Sequence, residues 1–134
     1  EYYNVPLDEY MKIFVKALNS GYTIVIGGDV SEPGYDSHSE VAYIPTFDIP
    51  SEYIDENARQ LRFTNNSTTD DHGIHIVGIK ETKDGKWFVI KDSGSGARNG
   101  ANKGYYFYHY DYIKLKMMNF MIHRSIVEDI LKKF

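Results

Sequence analysis

A chain of 134 residues with 42% hydrophobic and 25% charged residues has the size of one globular domain with one substantial core, and this composition excludes a disordered chain. Its formal net charge of -4 weighs against nucleic acid or an anionic membrane as a partner. No apolar run approaches the roughly 20 residues of a membrane-spanning helix, so a soluble single domain over residues 1–134 is expected. The absence of cysteine excludes disulfides, thiolate metal sites and a thiol nucleophile of the chain's own, without fixing the compartment. The chain starts at Glu1 without a methionine, which suggests a processed or excised piece of something longer.

Leu7, Tyr10, Met11, Phe14, Val15 and Leu18 recur at helical spacing, with Asn4 as the expected cap, Pro6 in the first turn and Gly21 just past the end. Tyr22 to Ile26 is a β-branched run stopped by Gly27-Gly28, the pattern of a buried strand followed by a close backbone approach. Asp29 to Pro50 mixes Pro33, Gly34, Pro45 and Pro50 with scattered aromatics and is expected to be a long structured loop. Ser51 is the expected cap of a short helix from Glu52 to Leu61, and the polar run from Thr64 to Asp71 delivers the chain to His72.

Gly73 to Thr82 and Lys86 to Lys91 are expected strands joined around Asp84-Gly85, a short-range hairpin signal. A glycine-rich loop, Ser93 to Gly104, leads into the aromatic strand Tyr105 to His109. After it come a helical turn from Asp111 to Met117 capped by Asp111, a strand from Asn119 to His123, and a last helix capped by Ser125 with Ile126, Ile130 and Leu131 on one face. One helix followed by an antiparallel sheet with peripheral helices is an α+β lobe, and the high aromatic share, 15% with twelve tyrosines, suits strands and interfaces better than a helical bundle.

A lone histidine near an apolar strand is most often a core residue. His72 is better placed, because it stands where a polar loop enters a strand and a hairpin can return a carboxylate to it. Asp92, at the foot of the return strand, is the candidate to accept the imidazole N–H and fix the ring's tautomer. Register imposes a condition. With a two-residue Asp84-Gly85 turn and an unbroken ladder, Asp92 faces Val77, and His72, an odd number of residues away, points from the opposite face. The pair therefore requires a bulge or a wider loop between Ile79 and Lys86.

The other candidates carry less. His75 falls on the face opposite His72 and reads as structural, and His109 and His123 lack a second nearby ligand type, so neither metal nor cofactor is expected. Gly94 to Gly100 has the wrong glycine spacing for a dinucleotide fingerprint and leads into a strand. A Ser93, His72, Asp92 serine triad lacks the nucleophile-elbow sequence. Asp29, Glu32 and Asp36 read as an ordinary acidic loop, not a calcium site.

With these residues in hand, the chain resembles the bleomycin hydrolase and aminopeptidase C branch of the papain-like cysteine peptidases over nearly its whole length. Asn4-Val5-Pro6-Leu7 with the helix after it, and the strand ending at Gly28-Asp29-Val30, look like the segment entering that family's second lobe. Asp71-His72-Gly73 matches the position of the catalytic histidine, Lys91-Asp92-Ser93-Gly94 falls where the family has Asn-Ser-Trp-Gly, and Lys103-Gly104-Tyr105 matches the closing glycine and aromatic strand. The resemblance implies the papain-like fold's β-rich second lobe, an antiparallel half-barrel with peripheral helices. It also implies a peptide substrate, a companion N-terminal chain or lobe carrying the nucleophilic cysteine and the oxyanion-hole glutamine, a ring-like homo-oligomer and, by family analogy, a cytoplasmic setting, with a periplasmic or secreted one left open. His72 would shuttle the proton and Asp92 would orient it. Two departures stand out: Asp92 replaces an asparagine, and Gly94 replaces the tryptophan, which is expected to leave Asp92 less shielded from water. They suggest as the alternative a non-catalytic family member that binds peptides or proteins.

Overall fold

A computed structural model describes residues 2–134; Glu1, on which the expectation of a processed start rests, lies outside the described residues. The first helix, α1 (Leu7–Asn19), buries Leu7, Tyr10, Met11, Ile13, Phe14 and Ala17. Its apolar stripe is rotated from the expected one, with Ile13 and Ala17 fully inside and Val15 and Leu18 at the margin. Pro6, not Asn4, is the N-cap and makes no side-chain bond of its own; the Glu56 carboxylate accepts the Leu7 amide (3.2 Å). At the other end Gly21 adopts φ +80°, the amide of Tyr22 reaches Ala17 O (2.9 Å) and that of Gly21 reaches Leu18 O (3.1 Å). That pair of bonds is a Schellman closure, which favours glycine at its left-handed position.

The strands are β1 (Ile24–Gly28), β2 (Tyr35–Asp36), β3 (Val41–Ala42), β4 (His72–Thr82), β5 (Gly85–Lys91), β6 (Tyr105–His109) and β7 (Met117–Met121). Among the described residues they form one open sheet in the order β2-β3-β6-β5-β4-β1-β7. The sheet is mixed, since β3 runs parallel to β6 while the other neighbours are antiparallel. The expected all-antiparallel sheet is corrected at this point: the segment taken as loop, Asp29 to Pro50, contributes two two-residue strands, too short to leave a periodic signal.

The remaining helices are α2 (Glu56–Thr64), α3 (Tyr110–Lys116) and α4 (Glu128–Leu131). None of the described helices is long and apolar enough to cross a membrane. The expected caps are displaced. Ser51 opens a single 3-10 turn after Pro50, and α2 begins later, where the Asp55 side chain accepts the amide of Ala58 (2.8 Å). His109, not Asp111, caps α3, and His123 caps the 3-10 turn before α4, which spans four residues.

The core lies between α1 and one face of the sheet: Ile24 and Ile26 of β1, Ile74 and Ile76 of β4, Phe88 and Ile90 of β5, and Tyr106 and Tyr108 of β6 are at most 4% exposed. Alternation on a half-buried sheet produces this pattern. Phe14 is fully buried and meets Phe88 and Phe120 edge to face. Tyr106 and Tyr108 are thus core residues.

Candidate functional site

β1 and β4 bring the chain to the site. Gly28 of β1 lies opposite His72 and Gly27 opposite Gly73. A Cβ on Gly28 would come within 2.5 Å of Lys116 O and 2.6 Å of Met117 Cα, and one on Gly27 within 2.9 Å of the Asn119 and Asp70 side chains. The two glycines therefore let β7 and the loop before His72 approach β1 closely, as the Gly27-Gly28 pair suggests.

The approach to His72 is held by carboxylates. Asp71 accepts the amide of Val30 (3.0 Å) and the Ser31 hydroxyl, while its own amide donates to Gly28 O (3.1 Å). Buried Asp29 accepts the amides of Ser31 (2.9 Å) and Thr69 (2.7 Å), and Asp70 accepts from Asn119 Nδ2 (2.6 Å). Sequence reasoning missed these anchors; their signal is the run of aspartates beside two strand ends, where buried backbone donors need acceptors.

His72 and Asp92 meet. His72 Nε2 lies 2.8 Å from Asp92 Oδ1, and the same oxygen accepts the amide of Gly94 (2.8 Å). The amide of Asp92 donates to Gly104 O (2.8 Å), fixing its backbone to the far end of the glycine-rich loop. Because an ionised carboxylate only accepts, the ring proton sits on Nε2. Nδ1 makes no hydrogen bond to any described residue, and the imidazole is 30% exposed against 3% for the Asp92 side chain.

The required irregularity exists, two residues earlier than expected. Thr82 pairs with Gly85 across a Lys83-Asp84 turn, and the ladder shifts between Ile76 and Gly78, so that Val77 is the bulged residue. Without that bulge Asp92 would continue the ladder opposite His75, on the wrong face. With it, His75 pairs with Lys91, and Asp92 continues opposite Ile74, on the face of His72. The left-handed conformation near the turn falls on Gly85 (φ +111°).

Asp92 is well shielded, contrary to the expectation attached to the missing tryptophan. Gly94 lies directly against the pair: a Cβ there would be 3.2 Å from Asp92 Oδ1 and 3.6 Å from His72 Nε2. Backbone, not an indole, covers the carboxylate. Burial pushes the hydroxyls of Tyr35, Tyr106 and Tyr108 above the ordinary phenol range, and the Asp92 charge is among the smaller causes that raise them further.

The other candidates separate. His75 bonds Thr23 Oγ1 (2.8 Å). His109 bonds Asp84 O (3.1 Å) and accepts the amide of Asp111 (3.3 Å), and His123 stacks on Tyr22. Exposed Ser93 makes no hydrogen bond to His72, so no serine triad assembles. Asp29, Glu32 and Asp36 hold different partners: Thr69, Lys116 and Ser39. Among the described residues no group of His, Asp or Glu is arranged to hold a metal. The loop from Ser31 to Phe47 lines a concavity of about 580 Å³ whose wall includes the Lys116–Glu32 pair, and neither it nor a second of about 770 Å³ is lined by His72 or Asp92. Of the pair, the His72 imidazole reaches the surface and the Asp92 carboxylate does not.

No family model matches the chain, nor does any curated protein sequence. Solved structures do match. PepW from Lactobacillus rhamnosis HN001, determined as the selenomethionine derivative, aligns with 97% of this chain at a TM-score of 0.68 and 14% sequence identity. The two share a fold. The chain spans 30% of the length of PepW, and at this identity the likeness speaks to architecture alone.

Proposed function

We propose that this chain is the histidine-bearing lobe of a two-lobe, papain-like cysteine peptidase of the bleomycin hydrolase and aminopeptidase C type. The observation that carries the proposal is the His72–Asp92 hydrogen bond of 2.8 Å, made from one side of a partly exposed ring whose other nitrogen bonds none of the described residues. A general base needs this arrangement, with one nitrogen oriented by a buried acceptor and the other open to the reacting atoms. The likeness to PepW, which carries a peptidase's name, agrees with it.

The chemistry is acyl transfer to a thiolate borne by a companion lobe, since this chain has no cysteine. The thiol proton passes to His72 Nδ1, the sulfur bonds to the peptide carbonyl carbon, and the C–N bond breaks as Nδ1–H protonates the leaving amine. Water, deprotonated at the same nitrogen, then releases the acid and restores the thiol. Asp92 holds the ring in place throughout. The burial of Asp92 removes one of the two grounds for a non-catalytic binding role, the exposure expected from Gly94; the other, an aspartate in an asparagine's place, is what the Asp92→Asn variant tests. The test is turnover of peptide substrates by the complete protein, lost on His72→Ala with the fold retained; unchanged turnover in that variant would remove the proposal.

A further inference from the structure

One buried charge has no part in the proton transfer just described. Glu40 is 4% exposed and holds φ +57°, a left-handed backbone that disfavours residues other than glycine. A carboxylate both buried and strained is kept only where its surroundings over-determine it. Its backbone is tied to β6, since Glu40 O accepts the amide of Phe107 (2.9 Å). Its side chain reaches into the glycine-rich loop: one carboxylate oxygen accepts the amide of Asn102 and the other accepts Asn102 Nδ2. Gly100 lies so close that a Cβ there would overlap the carboxyl group.

The loop so held is the one that holds Asp92. Two residues beyond Asn102, Gly104 (φ +102°) donates its amide to Ala97 O (2.7 Å) and accepts the amide of Asp92 (2.8 Å). The first arm returns through Ala97, whose amide donates to Gly94 O (3.1 Å), and Gly94 gives its own amide to Asp92 Oδ1 (2.8 Å). Two other side chains anchor that arm: the Tyr106 hydroxyl donates to Gly96 O (3.2 Å), and Lys103 Nζ, from within the loop itself, donates to Arg98 O (3.2 Å). From these contacts we infer that Glu40 is a positioning residue for the site: its carboxylate clamps the 93–104 loop so that Asp92 meets His72 Nε2 in a single geometry. This rests on the peptidase reading for its purpose, though not for its measurement.

The test is the exchange with water of the His72 Nε2 proton, followed by ¹H–¹⁵N NMR on this chain as wild type, Glu40→Ala, Glu40→Gln and Gly100→Ala. Amide protection at Ile76 and Tyr108 reports separately on the sheet. In the wild type the ring proton is expected to be protected by its bond to Asp92. Glu40→Ala removes the clamp from one side and Gly100→Ala pushes the loop off from the other; each should speed exchange of that proton roughly tenfold or more, the factor that accompanies loss of one charge-assisted hydrogen bond, with sheet amides unchanged. Glu40→Gln keeps an acceptor for the Asn102 amide and should stay within about twofold of wild type. If Glu40→Ala proves unfolded, Gly100→Ala, in a half-buried loop, decides alone. A protected wild-type proton that stays equally protected in the two alanine variants overturns the role of Glu40 and leaves the His72–Asp92 site standing. An unprotected proton in the wild type overturns both.

Discussion

Asp92 Oδ1 takes two hydrogen bonds at once, from His72 Nε2 and from the amide of Gly94. Both donors need an acceptor and neither needs a charge, so an amide oxygen in the same place can serve both. Asp92→Asn is therefore expected to keep the ring's orientation, and in the proposed two-lobe peptidase to keep kcat/KM within about tenfold. Asp92→Ala leaves both donors unpaired and should lower kcat/KM by about 10²-fold, the lower end of what a positioned acid–base group contributes. Steady-state kinetics on the two variants checks the pair, and equal losses in both would show that charge, not orientation, is what Asp92 supplies. The same residue shows how a sequence expectation can fail locally: a tryptophan-to-glycine exchange suggests exposure, but a glycine also lets its own backbone close over the carboxylate, which no side-chain tally reveals.

At the scale of elements, the bulging of Val77 out of the ladder keeps His72 on the face of Asp92. The bulge there shifts the β4–β5 ladder by one residue, and everything N-terminal to it, His72, Ile74 and Ile76 included, turns over relative to an unbroken hairpin. Deleting Val77 removes the extra residue and closes an unbroken ladder in which Ile76 still meets Ile90 and Asp92 still continues opposite Ile74, so the pair and the buried isoleucines keep their face. Chemical denaturation should therefore show both the deletion and Val77→Ala within about 1.5 kcal/mol of wild type. A deletion several kcal/mol less stable, the size expected for exposing two isoleucines at roughly 1.5–3 kcal/mol each, would mean that the extra residue at Val77 is not what the ladder accommodates. Parity made the need for an irregularity legible in the sequence. Its position was not, because a bulge depends on how two strands share their hydrogen bonds and Val77 carries no local mark. The hairpin, α1 and the aromatic strand were legible from periodicity and turn chemistry. The two short strands β2 and β3 and the displaced caps were not, since two residues make no period and several Ser and Asp compete for each helix start.

For the molecule as a whole, the sheet edge near β1 is held by a charge taken out of water. Lys116, 3% exposed, bonds Glu32 (2.7 Å) and Thr68 (3.3 Å), and burial pushes the Glu32 carboxyl up, opposed by that ammonium. Removing one partner leaves the other uncompensated, so Glu32→Ala should lose about 3 kcal/mol in urea unfolding, while Glu32→Leu with Lys116→Met should regain most of it. A single variant as stable as wild type would show that Lys116 finds water. This pair joins the Asp29 to Pro50 segment to α3 far along the chain, a contact that only the assembled fold creates.

Half of the proposed chemistry lies outside residues 1–134, and that is where the central claim is most exposed. The direct measurement is labelling of the complete protein with a thiol-directed, peptide-like covalent inhibitor, mapped by mass spectrometry in wild type and His72→Ala. The account predicts modification of one cysteine in the companion lobe, and its loss in His72→Ala while folding is retained. Absence of any such cysteine, or labelling that proceeds equally without His72, would contradict it.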